Sequence, residues 1–261
     1  MPGDTIHFTV VIPVFNGAAY ITRAIESCLQ QTLQPQQIIV IDDASADGTG
    51  EMVKNLRSGL ILYERNDQNR GPSYSRNRGM QMATGSWIVF LDADDLFHPH
   101  KLETISYCIE NNADIRAIGH AFNLVEQPQI PFNSQWKNSL PALKYYSAKK
   151  VLWSSPVVTP SLAVSAANAI FFDESMVYAE DHDFILRTAE KFGLYYLDMA
   201  LCSLQRLPLT PGGISSNKWK MRVGEMKMYI RYCKRHHNYL AIPFLLLFSL
   251  LKHLRNILLQ R

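Results

Sequence analysis

Three short acidic clusters are the residues here that could do chemistry: Asp42-Asp43, Asp92-Ala93-Asp94-Asp95 and Glu180-Asp181-His182-Asp183. Asp92 and Asp94 flank a single alanine directly after an apolar run, a spacing at which two carboxylates repel unless a cation or protons intervene. Hard oxygen ligands favour magnesium or manganese, cations that share their coordination sphere with substrate phosphates and water. A calcium loop starts in a similar way, with Glu103 at its twelfth place, but Phe97 stands where such a loop needs glycine and Leu96 offers no oxygen. The first cluster also has a plainer use, because Asp43, Ser45 and Asp47 are residues that cap a following helix.

The elements that must position these clusters alternate in period. Apolar and β-branched runs at residues 8–15, 38–41, 60–63 and 87–91 read as buried strands, and stripes at 18–31, 50–56 and 72–83 read as the helices between them. This alternation predicts an α/β fold with a parallel sheet and crossover helices. In such sheets ligands lie beyond the carboxyl ends of strands, which is where the first two clusters fall; the third precedes a late helix, and all three can converge on one site. Farther along, residues 99–110 and 180–192 read as helices, while 115–124, 161–165, 169–172 and 194–197 read as strands. Residues 127–141 read as a loop that could act as a lid.

Composition narrows the classes. With 261 residues, 47% hydrophobic and 19% charged, the chain is globular, and a net charge of +3 is too small for a nucleic-acid binder. Cys28, Cys108, Cys202 and Cys233 are too scattered for a zinc site or a disulfide framework, which fits a reducing compartment. The start, Met1-Pro2-Gly3-Asp4, does not read as a signal peptide, so the cytoplasm is the expected location. A dinucleotide oxidoreductase needs Gly-x-Gly-x-x-Gly after the first strand; here Val14-Phe15-Asn16-Gly17-Ala18-Ala19-Tyr20 holds one glycine, and no Walker loop is present. Phosphates must then be met by metal and basic residues.

In order, Val11-Ile12-Pro13-Val14-Phe15-Asn16, the segment Ile41-Asp42-Asp43 through Thr49, Gly71-Pro72-Ser73-Tyr74-Ser75-Arg76-Asn77-Arg78-Gly79, Phe90-Leu91-Asp92-Ala93-Asp94-Asp95 and Glu180-Asp181 resemble the family-2 glycosyltransferases. Each motif is weak alone, and together they span residues 8 to about 190. The resemblance implies a GT-A fold, a Rossmann-like nucleotide-binding half on a mixed central sheet. It implies a catalytic domain over 1–215, with a nucleotide-binding half to about 98 and an acceptor half from 99, followed by a helical tail over 216–261. It implies an inverting, metal-dependent enzyme that moves a hexosyl or N-acetylhexosaminyl unit from a UDP-sugar or similar donor to a glycan or lipid-linked acceptor in cell-surface polysaccharide synthesis.

By the same resemblance Pro13, Phe15, Asn16 and Asp43 line the nucleobase side, with Asp43 accepting from the uracil imide. Arg76, Asp92 and Ala93 border the rest of the donor, Asp94 is the principal ligand of Mn2+ or Mg2+ with Asp92 in support, and Asp181 is the catalytic base. Gln205-Arg206 and Thr210 to Ser215 look like the family's mobile loop near the diphosphate. These roles are chemically coherent: a carboxylate can take the acceptor hydroxyl's proton during attack, and the metal acts as a Lewis acid on the departing diphosphate. One base with in-line attack gives inversion.

Several residues keep two readings. Arg76 and Arg78 reach phosphate or face solvent, His182 is a ligand or a surface residue, and Trp136 and Trp153 stack on an acceptor or pack inside. Rival functions are a nucleotidyltransferase, which should carry a Gly-rich basic signature after the first strand, and a carbohydrate- or nucleotide-binding module without catalysis. After Pro211-Gly212-Gly213 the chain reads as helical, with ten Lys and Arg residues from Lys218 onward against one acid, Glu225. Its apolar stretch 239–259 is short for a membrane span and reads as a helix lying in the inner-leaflet interface or docked on protein. No motif specifies an oligomeric state.

Overall fold

The structure, a computed structural model, describes residues 6–125, 136–205 and 217–258. The first half follows the alternation expected: β1 (Phe8–Val14), α1 (Ile21–Leu29), β2 (Gln37–Asp42), α2 (Thr49–Asn55), β3 (Ile61–Arg65), α3 (Pro72–Met82) and β4 (Trp87–Phe90). β3, β2, β1 and β4 lie side by side in that order and run parallel. The chain leaves β1 toward β2 and later returns on its other side as β4. That reversal opens a crevice at the carboxyl ends of β1 and β4, where an open α/β sheet binds ligands.

The second half converts the sheet from parallel to mixed. It contributes β5 (Leu96–Phe97), α4 (Lys101–Glu110), β6 (Ala117–Leu124), β7 (Lys144–Tyr146), α5 (Ala148–Trp153), β8 (Leu162–Ser165), α6 (Glu180–Phe192) and β9 (Leu194–Leu204). β8 pairs antiparallel with β4, and the order continues through β6 and β9 to β5, with β7 also on β9. The tail forms α7 (Lys218–Arg235) and α8 (Ile242–Leu258).

Alternate residues of the buried strands feed two cores. Val10, Ile12 and Val14 point to the side covered by Ile21 and Ile25 of α1 and by Leu102 and Ile105 of α4. Val11, Ile88 and Phe90 point to the other side, where Phe184 of α6 and Met228, Tyr229 and Cys233 of α7 close over them. α7 is thus part of the second core. Among the described residues all four cysteines are buried and free.

Two expectations need correction. Residues 169–172 are not a strand: Asn77 of α3 accepts from the Phe172 N–H at 2.7 Å and donates to its carbonyl at 3.0 Å, so a side-chain amide takes the place of a neighbouring strand. Strand β9 runs on to Leu204 rather than stopping at 197, because register shifts against β6 let a strand longer than the apolar run stay paired. Of the supposed lid, residues 136–139 form a 3-10 turn that buries Trp136, and 126–135 lie outside the described residues.

Candidate active site

The loops after β1 and β2 are stitched together. The Asn16 N–H donates to Ser45 Oγ at 2.8 Å, Ala46 N–H to Asn16 Oδ1 at 2.9 Å, Gly17 N–H to Thr49 Oγ1 at 3.0 Å and Ala18 N–H to Asp47 Oδ2 at 2.9 Å. Burial alone would push the Asp47 carboxyl upward, but the hydrogen bonds from Thr49 and Ala18 outweigh it and hold it below the usual range. Ser45 and Asp47 therefore brace two loops, more than the helix cap they resemble. On this frame Pro13 is half-buried near the end of β1 and Phe15, just after it, is 53% exposed.

The two aspartates after β2 have separate tasks. Asp42 accepts from the Ser45 N–H and from the Tyr63 hydroxyl at 2.6 Å, which fixes the strand end. Asp43 is buried, and its carboxylate takes the Asn66 amide at 2.7 Å, the Arg70 N–H at 2.9 and 3.1 Å and the Gly71 N–H at 2.7 Å. This one side chain gathers the turn over residues 66–71 and delivers the start of α3.

α3 ties the site together. Ser75 accepts from the Asn66 amide that also serves Asp43. Next to it, the buried Arg76 guanidinium donates to Asp92 Oδ1 at 2.7 Å and lies 3.6 Å from Glu180 Oε1, so two of the three acidic clusters meet on one cation. Arg76 can reach both because Gly79 brings α3 against β1; a Cβ at Gly79 would come within 2.4 Å of Val11 Cγ1. Burial by itself would lower the Arg76 pKa, but Asp92, Glu180 and Asp181 reverse this and raise it. Arg78 is structural: it binds Glu64 at 2.8 Å and Asn66 Oδ1 at 2.7 Å.

Beyond β4, Asp92, Ala93 and Asp94 are half-buried in a tight turn closed by Asp95 N–H to the Asp92 carbonyl at 3.0 Å, with Ala93 beside Gly17 of the β1 loop. Asp95 faces the other way and accepts from the Gln205 N–H. Asp92 and Asp94 offer the hard oxygens that magnesium or manganese prefers, and a cation held by so few protein ligands would complete its sphere from a diphosphate and water. Among the described residues no group of three or more His, Cys, Asp or Glu is arranged as a metal site.

The third cluster opens α6. Asp181 is half-buried and accepts from the His182 N–H at 2.7 Å. Glu180, to which sequence reasoning gave no role of its own, is pushed up to about 7 by burial first and Asp181 second, with Arg76 pulling the other way. His182 Nε2 hydrogen-bonds the Val151 carbonyl at 2.8 Å, so it anchors α6 to α5. Trp136 is buried next to Tyr107, while Trp153 stays 47% exposed against Phe248 of α8. Of the segment read as the mobile diphosphate loop, Gln205 is held by Asp95, and Arg206 with Thr210 to Ser215 lies outside the described residues.

Non-glycine residues with positive φ mark each of the acidic clusters after β2 and before α6, and the loop after β1: Asn16 at 51°, Ala44 at 67° and Ala179 at 57°. For alanine this backbone is costly, and it persists where surrounding contacts over-determine it.

A GT-A type α/β fold whose β1 and β4 crevice gathers paired aspartates, a buried arginine and a second carboxylate pair is the class of a nucleotide-sugar enzyme. The family model described as "Glycosyl transferase family 2" matches residues 9–164, and the chain belongs to that family. It is 28% identical over 210 residues to the amylovoran biosynthesis glycosyltransferase AmsB of Erwinia amylovora, covering 75% of this chain and 67% of AmsB. Its fold is similar to Staphylococcus aureus TarS 1-349 in complex with UDP-GlcNAc, at TM-score 0.69 and 21% identity over 87% of this chain and 67% of that one. It is also similar to the mannosyltransferase PcManGT of Pyrobaculum calidifontis in complex with GDP-Man and Mn2+, at TM-score 0.64 and 17% identity over 95% and 74%. Against four other sequence relatives the chain spans at most half of their length.

Proposed function

We propose that this glycosyltransferase moves a hexosyl or N-acetylhexosaminyl unit from a nucleotide-diphospho-sugar, a UDP-sugar in the first instance, to a hydroxyl of a glycan or lipid-linked acceptor, with inversion, in cell-surface polysaccharide synthesis at the cytoplasmic side. The observation that carries this reading is the Arg76 junction, which joins the donor-side Asp92 to the Glu180-Asp181 pair. A site that must bind a diphosphate next to a base needs such a cation between its two carboxylate groups, or they would repel each other. The relatives support the donor and pathway: TarS, a poly(ribitol-phosphate) β-N-acetylglucosaminyltransferase by name, has been crystallised with UDP-GlcNAc, and AmsB serves amylovoran synthesis.

In this reading Pro13, Phe15 and Asn16 form the nucleobase wall. Each Asp43 oxygen already accepts two protein N–H groups, so a uracil imide would have to share an oxygen with Asn66, Arg70 or Gly71. Asp43 then acts at least as much by shaping that wall as by touching the base. Asp94, with Asp92, would hold Mn2+ or Mg2+, which would offset charge on the leaving diphosphate. Asp181 takes the proton of the attacking hydroxyl, and Arg76 stands between it and Asp92 as a counter-charge. A nucleotidyltransferase or a binding module without catalysis gains no specific observation.

Calorimetric titration with UDP tests the donor half. With manganese present the protein should bind UDP, and Asp94→Ala should weaken binding by about tenfold or more with an unchanged melting temperature. Equal affinity of both proteins would remove Asp94 as the metal ligand.

A further inference from the structure

Helix α8 packs a mixed face of Ile242, Leu245, Phe248 and Ser249 inward and leaves an apolar stripe outward. An ordinary surface helix turns its apolar face inward and its polar face to water. Here Ser249 is fully buried and donates to Glu225 of α7, and Lys252 Nζ reaches the other oxygen of the same carboxylate. Arg222 and the Tyr229 hydroxyl complete this hub, and Leu245 is buried alongside it. The hub fixes the rotation of α8. With Ser249 and Lys252 inward, Leu240, Phe244, Leu247, Leu251 and Leu254, spaced four and three apart, are left 86%, 71%, 55%, 55% and 55% exposed along one outer stripe.

We propose that this stripe is a docking surface for an anionic lipid bilayer, with α8 lying in the plane of the headgroups. Three observations select lipid over a second copy of the chain. The surface is flanked by exposed aromatics that suit a water–lipid boundary: Trp153 packs edge-on against Phe248, Trp219 against His253, and Tyr239 adjoins Leu240. From Lys218 onward the sequence has ten Lys and Arg residues and one acid, Glu225; Arg222 and Lys252 bind that acid in the hub, while Arg231 binds Asp173 and Arg235 binds Glu190. Lys220, Lys227 and Lys234 of α7 and Arg255 of α8 are exposed, a charge that attracts anionic headgroups and would repel an identical copy. Among the described residues no helix is long and apolar enough to cross a membrane, so the stripe would rest on the surface.

Helix α7 also connects this surface to the site. Gly224 brings α7 against the backbone of Tyr178, where a Cβ would lie 2.3 Å from the carbonyl oxygen, and Arg231 holds Asp173 and Ser175 in the segment leading to Glu180 and Asp181. Docking through α8 would therefore set the height of Asp181 above the lipid plane.

The test uses the full chain with phosphatidylcholine vesicles made with or without phosphatidylglycerol. The protein should sediment with the anionic vesicles and be released by added salt. Leu247→Glu with Leu251→Glu, both at exposed positions, should weaken this binding by about tenfold or more while UDP binding is kept. Lys234→Glu with Arg255→Glu leaves the stripe intact and should weaken binding to anionic vesicles alone. Equal sedimentation of all three proteins would overturn the proposal. So would a dimer that the leucine substitutions dissociate, if none of the proteins binds vesicles.

Discussion

Replacing Glu180 by glutamine separates the burial of this side chain from its charge. The carboxyl rises from 4.5 to about 7 because burial and Asp181 disfavour its ionised form more than Arg76 favours it. Below the lower value folded and unfolded chains both keep the proton, and no penalty exists. Between the two values the unfolded chain releases the proton while the folded one holds it, so stability falls as pH rises, and above the higher value the loss is complete. A rise of that size corresponds to a ceiling of about 3 kcal/mol, which applies here because the side chain is 14% exposed. The Glu180→Gln variant keeps a polar group against Arg76 but gives up a 3.6 Å charge contact, so we expect a net gain of about 2 kcal/mol at about pH 8 and almost none at about pH 4.5. In a domain of this size that gain is a rise in Tm of roughly 5 °C, read by thermal melting at the two pH values. The same Tm difference at both, or a lower Tm for the variant at the higher pH, would refute the dominance of burial.

Two further substitutions test the frame of the site. Asp43→Ala strands the buried Asn66 amide and the Arg70 and Gly71 N–H groups, and should destabilise the protein by about 3 kcal/mol and weaken UDP binding; an unchanged melt would show that the 66–71 turn holds without it. Ala179→Gly relieves a left-handed backbone at φ 57° and should raise stability by about 1 kcal/mol, with lower turnover as Glu180 and Asp181 loosen; a lower Tm would contradict strain at this position.

The parallel half was readable because buried strands carry β-branched runs, as at Thr9 to Ile12, and helices such as α1 carry clear stripes. The second half was harder to read where side chains replace backbone pairing, as Asn77 does for Phe172, or where strands are too short to show a period, as at Leu96–Phe97 and Lys144–Tyr146. The acidic clusters announced themselves by composition, yet their division of labour did not. Nothing in Asp42-Asp43 says that one caps a strand end and the other gathers a turn, because Tyr63, Asn66 and Gly71 are brought in from elsewhere in the chain. Arg76 and Arg78, two apart on one helix, have opposite fates, since only Arg76 lies on the side that Gly79 presses toward the sheet. The tail helix was half legible: its apolar excess was plain, but which face points outward depends on Glu225.

Turnover of nucleotide-sugars with and without Asp181 tests most directly whether this chain is a glycosyltransferase with Asp181 as its base. Purified protein with manganese or magnesium should release the nucleotide from at least one UDP- or GDP-sugar in the presence of a glycan or lipid-linked acceptor. Asp181→Asn keeps the size and hydrogen bonding of the side chain but removes its basicity, so turnover should fall by about 10²-fold or more while donor affinity is retained. Turnover by Asp181→Asn equal to that of the unaltered protein would contradict the account.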